Sequence, residues 1–196
     1  MARSTSRTGE LAPGPAHLAA LGACGVPRPA QPGLLAYLEL LAAWNARVNL
    51  TGARTPEERV LTLVAPVLPV ASLVPEGSVL DLGSGNGSPG LVLALLRPTL
   101  EVTLVEPRMR RVAFLREAAR ATGREDVRVF RGRHDEYPGP PARTVLVRAL
   151  TLALPDLAEL VQPGGLVMIL GRPPAPAPGF APEPSPARVH CYRRST

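Results

Sequence analysis

The run Val79-Leu80-Asp81-Leu82 passes directly into Gly83-Ser84-Gly85-Asn86-Gly87-Ser88-Pro89-Gly90, and this junction leaves the chain few folds to choose from. An apolar strand stops at a turn almost free of side chains. Leu91-Val92-Leu93-Ala94-Leu95-Leu96 then begins a helix. Glycines tolerate positive φ and let main chain approach a ligand, and the first amides of the helix point at it. Strand, turn and helix in this order predict a nucleoside-cofactor site at the carboxyl end of a parallel sheet.

The acidic residues bear on which cofactor. Asp81 lies two residues before the first glycine, where a carboxylate can bind the ammonium of a methionine moiety, directly or through water. The same charge would repel a pyrophosphate. Gly83, Gly85 and Gly87 complete the D-x-G-x-G-x-G spacing of S-adenosylmethionine (SAM) binding turns. Gly85 to Gly90 also satisfies the bare dinucleotide pattern, which is weak by itself. Glu106, closing a second strand about 20 residues on, suits a ribose diol in either case. SAM is the expected cofactor; a nicotinamide dinucleotide, or a turn that binds nothing, are the alternatives.

Composition narrows the chemistry. All 22 basic residues are arginine, so a P-loop lysine, a Schiff-base lysine and a lysine general base are excluded. A formal charge of +6 makes a polyanionic partner plausible. Arg108, Arg110, Arg111, Arg116, Arg120, Arg124, Arg128, Arg131 and Arg133 crowd into one stretch just after Glu106. Arginine suits phosphate and base recognition, although such a run is also what a solvated helix face looks like. Cys24 and Cys191 are isolated, which fits a reducing, cytoplasmic setting. His17, His134 and His190 are scattered, and no metal site is expected. No apolar run is long enough to predict a membrane span, and the chain is expected to act as a monomer.

Residues 1–33, rich in Pro, Gly and Ala, read as mostly disordered, with at most a short turn near His17 to Leu21. Leu34, Leu35, Leu38, Leu41 and Trp44 recur at helical spacing and predict a helix over 34–47. Thr55-Pro56-Glu57-Glu58 has a capping residue, proline at the first helical position and glutamate three after the cap, and starts a second helix to about Leu68. Pro66 interrupts it. These helices form an N-terminal region over 34–76. A core over 77–171 follows, with strands at 78–83, 101–106, 127–131, 143–148 and 165–170 and helices at 89–96, 108–122 and 152–162. Right-handed crossovers then give a mostly parallel, doubly wound α/β sheet. Residues 173–186 hold seven prolines and read as an extended linker, before a last edge strand over 187–192.

Taken together these motifs resemble the RsmG (GidB) family of 16S ribosomal RNA methyltransferases, over residues 34–171. Trp44-Asn45-Ala46-Arg47-Val48-Asn49-Leu50-Thr51 is similar to its W-N-x-x-x-N-L-T signature. Asp81 to Gly90 resembles its D-x-G-x-G-x-G-x-P-G, and Arg97-Pro98 follows. Arg110-Arg111-Val112-Ala113-Phe114-Leu115 stands for K-R-x-x-F-L, and Val147-Arg148-Ala149 for S-R-A. The resemblance implies a Rossmann-like class I methyltransferase fold and methyl transfer from SAM to N7 of a guanine in 16S rRNA. It also implies cofactor contacts at Gly83, Ser88, His134, Asp135 and Arg148.

The chain departs from the family in its polar groups. Where the second helix should carry R-H-x-x-D-S, it has Thr62-Leu63-Val64-Ala65-Pro66-Val67, and the lysine of A-x-K-G is absent from Met168-Ile169-Leu170-Gly171. The family's two C-terminal antiparallel strands are reduced to the proline-rich segment and one candidate strand. Guanine N7 has a free lone pair, so methylation there needs positioning and no general base. Arg148 is therefore expected to position guanine O6 or the carboxylate end of SAM, and Arg108, Arg110 and Arg111 to hold rRNA phosphates. A catalytically degenerate SAM- or RNA-binding paralogue and a small-molecule methyltransferase are the rival readings.

Overall fold

The computed structural model describes residues 13–196. Helix α1 spans Pro13–Ala23 and α2 spans Gln31–Asn45. The expected disorder of 1–33 is therefore corrected over 13–33. His17, Leu21, Val26 and Ala30 are buried there, so tertiary packing overrides a composition poor in helix signals. Residues 1–12 lie outside the described region.

After α2 the chain turns at Asn45-Ala46-Arg47-Val48-Asn49-Leu50-Thr51. The Asn45 side chain closes this turn: Oδ1 accepts from the amides of Leu50 (2.8 Å) and Thr51 (3.0 Å), and Nδ2 donates to Thr51 O (2.9 Å). Helix α3, Pro56–Arg59, starts on the predicted capping box of Thr55 and Glu58. The helix then widens into a π turn over Val60–Val64, tightens to a 3-10 turn over Ala65–Val67, and resumes as α4, Leu68–Ala71. Pro66 explains the break. It has no amide to donate, and its ring excludes the carbonyl four residues earlier, that of Thr62.

The strands are β1 (Ser78–Leu82), β2 (Glu101–Glu106), β3 (Arg128–Arg131), β4 (Ala142–Arg148), β5 (Val161–Leu170), β6 (Phe180–Glu183) and β7 (Val189–Arg194), in the spatial order β3-β2-β1-β4-β5-β7-β6. Strands β1 to β5 are parallel, and β7 runs antiparallel to both β5 and β6. Helices α5 (Gly90–Leu96) and α6 (Met109–Ala121) make the crossovers from β1 to β2 and from β2 to β3. Side chains alternate strictly along β5: Leu166, Met168 and Leu170 join the helical core, whereas Val167 and Ile169 join a smaller core behind the sheet. The helical core also takes in Leu34, Tyr37, Leu38 and Leu41 of α2, so the N-terminal helices share one interior with the sheet.

Two expectations fail around the smaller core. The helix predicted over 152–162 is only a 3-10 turn, Leu154–Leu157. Pro155 fits its first turn, but β5 begins at Val161 and ends the helical run there. The proline-rich segment, read as a linker, contains β6, which pairs with β7 at the border of the sheet. An outermost strand needs amides on one side only, so it accommodates Pro182.

Candidate active site

The carboxyl ends of β1, β2 and β4 open on a cleft of about 410 Å³, lined by Gly83, Glu106, Arg108, Arg111, His134 and Arg148, among others. Gly83, Gly85 and Gly87 all have positive φ (71°, 51° and 91°), which side-chain-bearing residues rarely adopt. Space is equally short. A side chain at Gly83 would begin 2.4 Å from Leu150 Cδ1, and one at Gly85 3.3 Å from Arg111 Nη1. Leu150 is brought over the turn by Ala149, a non-glycine residue held at φ 57°.

Glu106 is buried and braces the turn from below. Its Oε2 accepts from the Gly85 amide (3.0 Å) and its Oε1 from the Arg108 amide (2.9 Å). Each oxygen keeps a further lone pair for a ligand hydroxyl. The opposite side of the turn is held by Asn86, which the sequence reading had not singled out. Its carbonyl accepts from the Tyr37 hydroxyl (2.8 Å), its Nδ2 donates to Leu50 O (3.0 Å), and its Oδ1 accepts from the Ser88 amide (3.1 Å). Thus the W-N-x-x-x-N-L-T turn is tied to the cofactor turn, with Asn45 shaping the first and Asn86 joining the two. An asparagine in a glycine-rich turn was the only signal available.

Asp81 is placed differently from expectation. It is fully buried beneath the turn, absent from the cleft lining, and its Oδ2 accepts from the Gly90 amide at the start of α5 (3.2 Å). The alternation of β1 puts it on the helix side with Val79, so it anchors α5 and does not reach a methionine ammonium directly. Burial raises its carboxyl to about 7, against the hydrogen bond from Gly90 and the charge of Arg148. The folded-state value thus lies above the unfolded one. Between about pH 4 and pH 7 the folded chain holds the extra proton, and stability falls as pH rises. Asp81→Asn is expected to flatten this slope and to be the more stable form at pH 8, which urea unfolding at pH 5 and pH 8 will show. A parent midpoint equal at the two pH values would contradict the shift.

Arg148 ends β4, half-buried, and makes no ion pair with Asp81 or Glu106. Its partners within the chain are neutral oxygens: Nη1 donates to Ser88 Oγ (2.7 Å) and Nη2 to Thr62 O (2.7 Å). Ser88 Oγ in turn donates to Leu63 O (2.6 Å). Those carbonyls belong to the helix opened by Pro66, which has no amide for Thr62 O, so the guanidinium serves an acceptor that a regular helix would have satisfied. Burial lowers the pKa of Arg148, while the nearby Tyr37 and Asp81 favour its charge. A second recess of about 260 Å³, lined by Leu50, Thr51, Thr62, Asn86 and Ser88, shares Gly83, Arg111, Arg148 and Ala149 with the cleft.

Of the remaining expected contacts, His134 lines the cleft from a 3-10 turn, whereas Asp135 pairs with Arg133 at 3.0 Å and is not part of the lining. Arg108 and Arg111 face the cleft; Arg110 lies on the opposite side of α6. Among the described residues, no three His, Cys, Asp or Glu side chains converge as a metal site would require, and no helix is long and apolar enough to cross a membrane.

The residues fit SAM on structural grounds: a glycine turn too tight for side chains, a buried carboxylate with free lone pairs, and a cleft running between them. Comparison with known proteins agrees. Among solved structures, TrmN from Thermus thermophilus superposes with a TM-score of 0.53 at 25% identity, over 80% of this chain and 52% of that one. An RNA methyltransferase from Salinibacter ruber in complex with S-adenosyl-L-homocysteine gives 0.53 at 22% identity, over 67% and 88%. Both likenesses establish a Rossmann-like class I methyltransferase fold. The ribosomal RNA small subunit methyltransferase G of Methylobacillus flagellatus is 43% identical over 119 residues, 60% of this chain and 58% of its own length. That of Stenotrophomonas maltophilia (strain K279a) is 37% identical over 158 residues, 78% and 73%. The model of the family described as rRNA small subunit methyltransferase G matches residues 30–171, which includes both recesses, and the chain belongs to this family of SAM-dependent methyltransferases.

Proposed function

We propose that this chain transfers the methyl group of SAM to N7 of a guanine in 16S rRNA, acting as a cytoplasmic monomer on the small ribosomal subunit. The observation that carries the reading is the pair of joined recesses. One has the glycine turn and Glu106 of a nucleoside site, the other is bounded by the N-terminal helical region, and Arg148 stands in their common wall. SAM, when bound, supplies a methyl group on a positively charged sulfur. Glu106 would hold its ribose, His134 and the 132–134 backbone its adenine, and Gly83 and Gly85 would admit its amino-acid end past the main chain.

The acceptor enters the smaller recess. Guanine N7 presents a free lone pair, so the chain needs no general base there, and among the described residues no carboxylate or imidazole lines the smaller recess. What the residues contribute is placement and exclusion of water. Arg148 fixes Ser88 and the opened helix, and the shape of the acceptor recess depends on that tie. Arg108 and Arg111 at the mouth would neutralise RNA phosphates, so affinity should fall with salt.

One observation favours a binding-only paralogue: the stretch Thr62–Val67, in place of the family's R-H-x-x-D-S, presents only main-chain acceptors and Thr62 to the recess. The deciding experiment incubates the chain with radiolabelled SAM and small subunits from cells lacking the gene. Label on one 16S guanine, cleavable by N7-specific chemistry, is the expected result. Absence of label from a preparation that binds SAM would reject the enzyme and leave the paralogue.

A further inference from the structure

The side of α6 turned away from the cofactor cleft carries another recess, of about 560 Å³, between α6 and the end of α2. Its floor is Leu40, Trp44 and Val48; its rim is Arg47, Arg110 and Glu117. Trp44 is half-buried and touches Phe114 edge-on, with ring centroids 5.8 Å apart and planes at 64°. Phe114 also abuts Tyr37, so the indole rests on a rigid base. Arg47 and Arg110 are exposed, and neither they nor Glu117 makes a side-chain hydrogen bond or ion pair among the described residues. The fold therefore leaves three charges uncommitted around one aromatic ring.

We propose that this recess takes one nucleotide of single-stranded RNA next to the methylated guanine. The inference rests on the function proposed above. A base stacks on Trp44, its phosphates meet Arg47 and Arg110, and the Glu117 carboxylate accepts from a base amino group. Stacking on an aromatic ring and phosphate contacts from arginine are the two terms that hold single strands. Charge selects RNA over a protein helix here, since two free arginines on a chain of net charge +6 favour a polyanion. The first turn of α6 separates the two sites, with Arg108 and Arg111 on the cofactor side and Arg110 on this one. A strand crossing that turn meets arginine on both slopes.

Trp44 is the chain's one tryptophan, so its emission reports this recess alone. The full chain is titrated with a fluorescently labelled RNA hexanucleotide of mixed sequence, and Trp44 emission is followed together with the anisotropy of the label. The expected result is saturable quenching that tracks anisotropy, with a log–log salt slope of about −1.4 from the two phosphates at this recess, and a steeper one where Arg108 and Arg111 engage as well. Arg47→Glu and Arg110→Glu should each weaken binding about tenfold and lower the salt slope, with SAM affinity and thermal midpoint unchanged. RNA binding that leaves Trp44 emission constant, or that survives Arg47→Glu undiminished, overturns the proposal. So do concentration-dependent dimers that Arg47→Glu dissolves, which would give the recess to a second copy. Quenching without methyl transfer to subunits would reject the enzyme reading and keep the nucleotide site; transfer without quenching would do the reverse.

Discussion

Arg148→Met is expected to reduce single-turnover methyl transfer at least a hundredfold and to destabilise the fold by about 3 kcal/mol, from two charge-assisted hydrogen bonds lost at a half-buried site. The loss is felt at a distance from β4. Thr62 O has no amide to accept from because Pro66 lacks one, and Ser88 Oγ loses the donor that orients it toward Leu63 O. The opened helix would then lack its clasp to the cofactor turn. Arg148→Lys should fall between the two, since a single ammonium cannot reproduce the planar fork that reaches both oxygens. Urea unfolding and SAM titration separate the effects: the unfolding midpoint should drop in both variants, and SAM should still bind in Arg148→Lys. A normal unfolding midpoint in Arg148→Met would refute the account of the helix break.

The second large effect is expected from Gly90→Ala. This glycine has an ordinary helical backbone, so conformation is not the constraint. A methyl group there would start 2.6 Å from Asp81 Cβ, 2.6 Å from Asp81 Oδ2 and 2.6 Å from Leu104 Cδ2. Asp81 sits on the central strand and cannot withdraw, so α5 must lift. Overpacking of this kind, with loss of the Gly90–Asp81 hydrogen bond, should cost about 3 kcal/mol. Because α5 begins at the cofactor turn, SAM affinity should fall as well, to a degree that calorimetric titration can measure. Gly52→Ala is the matched control, since an added methyl group there meets nothing within 4 Å. It should melt within about 0.5 kcal/mol of the parent. Equal melting of the two variants would show that β1 and α5 are not so closely apposed.

The parts of this architecture that were legible in the sequence are those where one local signal suffices. Strand β2 and the helix α6 appear almost where apolar spacing places them, and the Thr55 capping box and the glycine turn carry their own chemistry. Helix α1 was illegible because its proline, glycine and alanine content gives little periodicity, and what orders it is burial of Leu21 and His17 against distant residues. The 152–162 segment misled in the other direction, being helical in pattern but cut short by the pairing of Val161 with Ala142. At the site, Glu106 and His134 line the cleft. Asp81 does not, because an acid near the end of a strand can face either side of the sheet and only the register decides. The partners of Arg148 were the hardest to foresee, since one is the hydroxyl of Ser88 and the other a main-chain oxygen, that of Thr62, exposed by a proline 82 positions earlier in the chain.

The outer strands have a bearing on handling as well as on fold. Strand β3 presents Arg128 and Arg131 at one border of the sheet, while β6 at the other contains Pro182 and is clamped by the Arg193–Glu183 ion pair. A sheet grows by recruiting a strand from another molecule along an unguarded border. Here like charge repels a second copy on one side, and a missing amide interrupts the hydrogen-bond ladder on the other. Concentrated protein should therefore resist amyloid-type polymerisation, and Pro182→Val would be the change that invites it.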